Sequence, residues 1–229
     1  MNKERLLRLI TQYQRNIDFY RNAKEFNEQD CRDEFISPLL ECFGWDVHNQ
    51  NGTLPQYKEV VVEKYSNSGD RPDYILTLNG VSKLFVEAKK PAVKITEDSG
   101  PAIQARRYGW NAKHKLSILT NFEDMMIYDV TIKPQEEDSA TVSLYRKYHY
   151  LDYLEKYQEI YKLISKECVY SGEYDKFVNS NFSNSERYST EVDEVFLKQI
   201  NEWRVSIGEY LYHECTFYKD VNVLNDVVQ

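Results

Sequence analysis

Glycine and proline are scarce in this chain of 229 residues, 8 and 6 of them, and no glycine-rich run of the kind that cradles a phosphate is present. The four cysteines, Cys31, Cys42, Cys168 and Cys215, form no CxxC pair, and His48, His114, His149 and His213 are equally scattered. That spacing excludes a structural zinc site and a disulfide framework, and it predicts reduced, buried thiols. No apolar run approaches the length of a membrane span, and Met1-Asn2-Lys3-Glu4-Arg5 lacks a signal-peptide pattern, so the expectation is a cytoplasmic protein. Internal repeats, low-complexity tracts, a nucleophile elbow and a methyltransferase signature are also missing.

What is present suffices for a packed core: 41% of residues are hydrophobic and 29% charged. The formal net charge of -8 is unevenly spread, with 19 basic and 19 acidic residues up to position 133 and 10 basic against 18 acidic beyond it. Between 80 and 115, Lys83, Lys89, Lys90, Lys94, Arg106, Arg107, Lys113 and Lys115 face only Glu87, Glu97 and Asp98. This stretch is locally basic, as a phosphate-handling surface or simply a solvated charged face would be.

The stretch from Asp70 to Pro91 organises the rest. Asn79-Gly80 signals a two-residue hairpin joining Ile75–Leu78 to Val81–Ala88, which folds Asp73 back towards Glu87. Paired carboxylates among β-branched and aromatic neighbours repel unless they share a cation or a proton, and a hard divalent ion such as magnesium resolves this with oxygen ligands. Lys89 lies two residues after Glu87, on the same face of an extended strand, where it can polarise a water held by the cation. A surface ion pair at a strand end is the alternative.

Pro72-Asp73 followed by Glu87-Ala88-Lys89 resembles the PD-(D/E)xK nuclease signature, and Gln104-Ala105-Arg106-Arg107-Tyr108 resembles the QxxxY helix of its RecB-like branch. The resemblance implies magnesium-dependent hydrolysis of double-stranded DNA. Asp73, Glu87 and the carbonyl of Ala88 would hold the ion, Lys89 would orient or activate the water, and Gln104 and Tyr108 would face the metal and the scissile phosphate. Read as residues alone, Gln104 could equally be solvated and Tyr108 packed. The segment Glu28 to Leu40, closing with Gly44-Trp45, resembles the opening helix of restriction-type nuclease domains, where a helical glutamate approaches the metal. Glu28 is the first candidate and Glu34 the second; either could instead stabilise the helix N-terminus or face solvent.

Around this stretch the patterning predicts an α/β domain, a mixed sheet flanked by helices with a helical C-terminal extension, and the resemblance implies that this sheet is restriction-endonuclease-like. Helices are expected over 3–24, with Leu6, Leu7, Ile10, Tyr13 and Ile17 as its apolar positions, and from the N-cap Asn27 to Gly44, with Cys31, Phe35, Leu39 and Phe43 on one face and Pro38 bending it. A further helix is opened by Gly100-Pro101. Strands are expected at Asp46–His48, Glu59–Val62, Leu116–Asn121 and Met125–Val130. The nuclease core is placed at 1–133, Lys133–Ser139 reads as a polar connector, and 134–229 as a mainly helical linker. Tyr150, Tyr153, Tyr157 and Tyr161 recur at helical spacing as a packing stripe. Thr190-Glu191-Val192-Asp193 reads as a capping box before a helix carrying Val192, Phe196, Ile200, Trp203, Ile207 and Leu211.

The tail from Val192 to Arg204 with Val223-Leu224-Asn225 resembles the connector to the methyltransferase region of single-chain type IIG restriction-modification enzymes. That resemblance implies that the chain is an N-terminal fragment, that methyltransferase and target-recognition domains follow, that S-adenosylmethionine serves only that missing region, and that cutting both strands involves transient dimerisation. Type I restriction subunits share the nuclease core. Two other classes stay open: a catalytically silent DNA-binding or scaffold module on the nuclease fold, and a glycosidase-like carboxylate pair.

Overall fold

The computed structural model describes residues 2–22, 24, 26–62 and 71–182, together with positions 203, 206, 207, 210 and 211. One compact unit runs from Met1 to Ser183 and a second from Asn184 to Gln229. The expected capping box at Thr190, the apolar positions 192, 196 and 200, and the tail 221–229 lie outside the described residues. In the second unit Trp203, Ile207 and Leu211 have helical backbone, and Trp203 and Ile207 are exposed.

The first unit is built on six strands: β1 (Val60–Val62), β2 (Tyr74–Leu78), β3 (Val81–Ala88), β4 (Leu116–Thr120), β5 (Asp124–Asp129) and β6 (Leu144–His149). They lie in sequence order across the sheet. All neighbours pair antiparallel except β3 and β4, which are parallel and joined through α5 (Ser99–Asn111). This is the mixed α/β sheet that the sequence pattern predicts, and it continues through β6 without a break at Lys133. Residues 133–139 form a loop, yet Asp138 within it accepts a hydrogen bond from the fully buried Arg106 at 2.6 Å. Arg106 is therefore an internal ion pair of α5, not part of a basic surface.

On one face of the sheet, Tyr74, Leu76, Leu84, Val86, Ala88, Ile118 and Ile127 pack against the N-terminal helices and those that follow β6. The former are α1 (Asn2–Arg15), α2 (Ile17–Asn22), α3 (Glu28–Cys31) and α4 (Ser37–Cys42); the latter are α6 (Tyr157–Ile164), α7 (Lys166–Tyr170) and α8 (Glu173–Asn181). On the other face, Leu119, Met126, Tyr128 and Val130 meet Ala102 and Ala105 of α5 in a smaller apolar cluster. Gly109 permits that approach, because a Cβ there would lie 2.6 Å from Val130 Cγ2.

The first helix divides at Asn16, and Leu7 is exposed while Leu6, Ile10 and Tyr13 are buried. Asn27 caps α3 as expected: its side chain accepts from the Asp30 N–H and Asp30 accepts from the Asn27 N–H, each at 3.0 Å. Between α3 and α4 the backbone makes a π turn over Arg32–Ile36, in which the Ser37 N–H bonds to the Arg32 carbonyl. Pro38 follows, with no N–H to continue a regular ladder, so the expected bend takes this form. Cys31, Phe35, Leu39 and Phe43 all face the core, and Cys31, Cys42 and Cys168 are buried free thiols.

Residues 46–48 are not a strand. Asp46 turns the chain instead, its carboxylate accepting from the N–H groups of Gln50 and Asn51 at 2.8 and 2.9 Å, a local bond that outcompetes extended pairing. The tyrosine stripe packs as expected but not on one helix. Tyr150 lies in a 3-10 turn, and Tyr153 is buried with its hydroxyl donating to the Phe122 carbonyl at 2.8 Å. α6 starts only at Tyr157, whose hydroxyl donates to the Cys42 carbonyl at 3.2 Å.

Candidate active site

The hairpin that carries the site turns at Asn79 and Gly80, both at positive φ (51° and 81°), as a type I′ turn demands. A Cβ on Gly80 would also come within 2.5 Å of the Gln56 carbonyl oxygen, so this glycine answers both to backbone conformation and to close approach. From the turn the pairing starts as Leu78 opposite Val81 and Thr77 opposite Ser82, then shifts so that Leu76 lies opposite Leu84 and Tyr74 opposite Val86. Lys83 is the extra residue of a β-bulge.

That bulge decides the site. Without it the two-residue turn would bring Tyr74 opposite Phe85 and Asp73 opposite Val86, and Glu87 would point to the far side of the sheet. With it, the observed register extends to Asp73 opposite Glu87, on the face that looks towards α5. The Ala88 N–H donates to Asp73 Oδ2 at 2.8 Å, which ties the two strands together at this point. The Lys89 N–H donates to the Thr120 carbonyl at 2.9 Å, continuing the β3–β4 ladder and presenting the Lys89 side chain beside Glu87. Lys83, on the bulge, is anchored by an ion pair with Asp175 of α8 at 2.8 Å.

Lys89 Nζ lies 2.6 Å from Glu87 Oε1 and 3.7 Å from Glu28 Oε2. Glu28, at the first position of α3, thus lies beside Lys89, whereas Glu34 is exposed. Arg32, four residues after Glu28 on the same helical face, completes the group by donating from Nη1 to Asp73 Oδ1 at 2.9 Å. Sequence reading missed Arg32. Its signal was a basic residue directly beside the apolar stripe Cys31–Phe35–Leu39, where a solvent-facing charge is unexpected.

The electrostatics follow from this packing. Burial, then the charge of Asp73, pushes the Glu87 carboxyl up to about 7, against the opposing pull of Lys89. Burial likewise raises Glu28, with Lys89 acting against it and Asp73 reinforcing it. Burial draws the Lys89 ammonium down, but Glu87, Glu28 and Asp73 outweigh it, so Lys89 stays above the usual lysine value and is firmly protonated at neutral pH. On α5, Gln104 Nε2 donates to the Tyr108 hydroxyl at 2.9 Å. Burial raises that hydroxyl, Gln104 lowers it, and the charges of Glu87, Lys89 and Asp73 all reach it, which places the Gln104–Tyr108 pair within electrostatic range of the carboxylates.

Among the described residues no three His, Cys, Asp or Glu side chains are grouped to hold a metal. Asp73 and Glu87 are each engaged by a cationic side chain instead. One feature nonetheless fits a cation: Glu87 Oε2 is fully buried and accepts no hydrogen bond. An orphaned carboxylate oxygen opposite a second carboxylate, beside a main-chain carbonyl, is the donor set of a hard divalent ion that retains several waters.

Residues 57–136, from the turn before β1 to the loop after β5, match the family described as the type I restriction enzyme R protein N terminus. Over 99% of its length the chain is 40% identical to the type II restriction enzyme and methyltransferase RM.Eco57I of Escherichia coli, of which it spans 23%. No solved structure matches the chain. The mixed sheet and both sequence matches agree in likening this chain to restriction enzymes, to the N terminus of a type I R protein and to part of a type II restriction enzyme and methyltransferase.

Proposed function

We propose that this chain is the magnesium-dependent endonuclease domain of a single-chain restriction–modification enzyme and hydrolyses phosphodiester bonds of double-stranded DNA. The observation that carries the reading is the pairing of Asp73 with Glu87 across a bulged hairpin, with Glu87 Oε2 buried and unbonded and Lys89 alongside. Asp73, Glu87 and the Ala88 carbonyl would hold the ion, with Glu28 close by. Magnesium bound there would lend positive charge to the scissile phosphate and the leaving oxygen.

The chain's own groups account for the rest. Lys89, protonated, donates to the attacking water and offsets negative charge gathering on the phosphate. Glu28, raised by burial and 3.7 Å from Lys89 Nζ, is placed to take up the water's proton as the water oxygen bonds to phosphorus and the bond to the leaving oxygen breaks. Gln104 fixes the Tyr108 hydroxyl, and the pair orients the phosphate from α5. A protonated Lys89 assigns the lysine to orientation and charge compensation, not to proton abstraction.

The relative RM.Eco57I is a restriction enzyme and methyltransferase in one. By analogy, methyltransferase and target-recognition regions, the former using S-adenosylmethionine, belong to the remainder of the whole protein, and cutting both strands needs two nuclease domains to meet. A silent module on the same fold is the second reading, favoured by the cationic side chains of Arg32 and Lys89 that already engage Asp73 and Glu87. The test is magnesium-dependent cleavage of duplex DNA by the extended protein beside Asp73→Ala, Glu87→Ala and Lys89→Ala. All three should fold and fail to cut; undiminished cleavage by all three would refute the assignment.

A further inference from the structure

Arg32 is only 5% exposed, and it is fixed from several directions. Its guanidinium lies over the Tyr74 ring, 5.2 Å from the centroid, while donating to Asp73 Oδ1. The Tyr74 hydroxyl returns a hydrogen bond to the Arg32 carbonyl at 3.3 Å and meets Ser37 Oγ at 2.9 Å. Its charge reaches Glu28 as well as Asp73. A buried guanidinium so placed does what a bound cation would do: it offsets the negative charge of the carboxylate it holds.

We infer that Arg32 is a positioning residue that holds Asp73 against the sheet in the metal-free protein and, by sharing Asp73 with the ion, weakens the site's hold on divalent cations. The inference rests on the metal-dependent reading above. Three carboxylates, Asp73, Glu87 and Glu28, face two fixed cations, Arg32 and Lys89. A dication entering this group binds a carboxylate whose charge is already half spent on Arg32. Removing the guanidinium therefore has two opposite consequences: the metal-free fold loses the group that neutralises a buried acid, and the site gains attraction for the ion.

This pairing of effects separates positioning from an ordinary structural role, and it can be read without any cleavage. Thermal unfolding in chelator and in excess magnesium, together with magnesium titration by calorimetry, would be run on the wild-type chain, Arg32→Met, Arg32→Lys and Asp73→Asn. Arg32→Met should melt lower than wild type in chelator, recover most of the difference in magnesium, and bind the ion on the order of tenfold more tightly. Arg32→Lys, which keeps the charge but not the planar fork, should fold in chelator and bind magnesium within about threefold of wild type. Asp73→Asn should lose the titration. Equal destabilisation of Arg32→Met with and without magnesium, or affinity unchanged or weaker than wild type, would overturn the inference while leaving the metal site standing. A wild-type chain that takes up no magnesium would overturn both. Should Arg32→Met not fold in chelator, its magnesium-loaded form and Arg32→Lys decide the matter: weaker binding by either counts against the inference.

Discussion

Replacing Glu87 with glutamine should change how stability responds to pH, because this carboxyl is the most strongly shifted acid of the site. Burial and Asp73 raise it from 4.5 to about 7, so between those values the folded protein keeps a proton that the unfolded chain releases. The stability linked to that proton is complete below 4.5 and is lost as pH rises through 7. From about pH 5 to about pH 8 the loss comes to roughly 2–3 kcal/mol, at about 1.4 kcal/mol for each tenfold change in proton affinity. Glu87→Gln carries no such proton and should not show it. Urea unfolding of both proteins in chelator across this range isolates the contribution, since the other shifted acids, Glu28, Glu34 and Asp124 raised and Glu123 and Asp138 lowered, remain in both. Wild type should lose 2–3 kcal/mol relative to the variant, or about 4–12 °C in Tm for a unit of this size. Magnesium, taking the proton's place, should flatten the wild-type curve. Two parallel profiles in chelator would refute the assignment of a buried, cation-seeking carboxyl at Glu87.

Deleting Lys83 removes the extra residue and leaves a regular hairpin with Asp73 still opposite Glu87, so the chain should keep both its sheet by circular dichroism and its calorimetric magnesium binding; loss of binding would contradict this register. Gly109→Ala should destabilise the unit by about 1–3 kcal/mol, because its Cβ meets Val130, and Val130→Ala in the same chain should recover much of that loss in urea unfolding. Asn27→Ala, removing the cap of the turn that presents Glu28, should cost about 1 kcal/mol in the same assay.

The turn, the strands beside it and the helix opened by Asn27 were legible because their signals are local. Asn79-Gly80 prescribes its own dihedral angles, Asn27 its own cap, and the apolar periods of Cys31–Phe43 and Leu116–Val130 their own buried faces. The bulge was not legible. Counting outward from a two-residue turn sets Asp73 against Val86, so the expectation that Asp73 and Glu87 meet depended on an irregularity fixed by packing of Lys83 against α8, far along the chain. Arg32 and Arg106 were hidden for a related reason: sequence counts both as surface charge, while each is buried by a partner, Asp73 or Asp138, that only the fold supplies. The same limit applies to Asp46, whose apolar neighbour Val47 suggested a strand while its carboxylate could equally close a turn.

The account stands most directly on the location of the ion. Crystals of the chain soaked in manganese, whose anomalous scattering marks its position, should show a single peak about 2.2 Å from one oxygen each of Asp73 and Glu87, at the buried Oε2 of the latter. Saturating manganese that leaves both carboxylates bare, or that collects at a site touching neither, would contradict it.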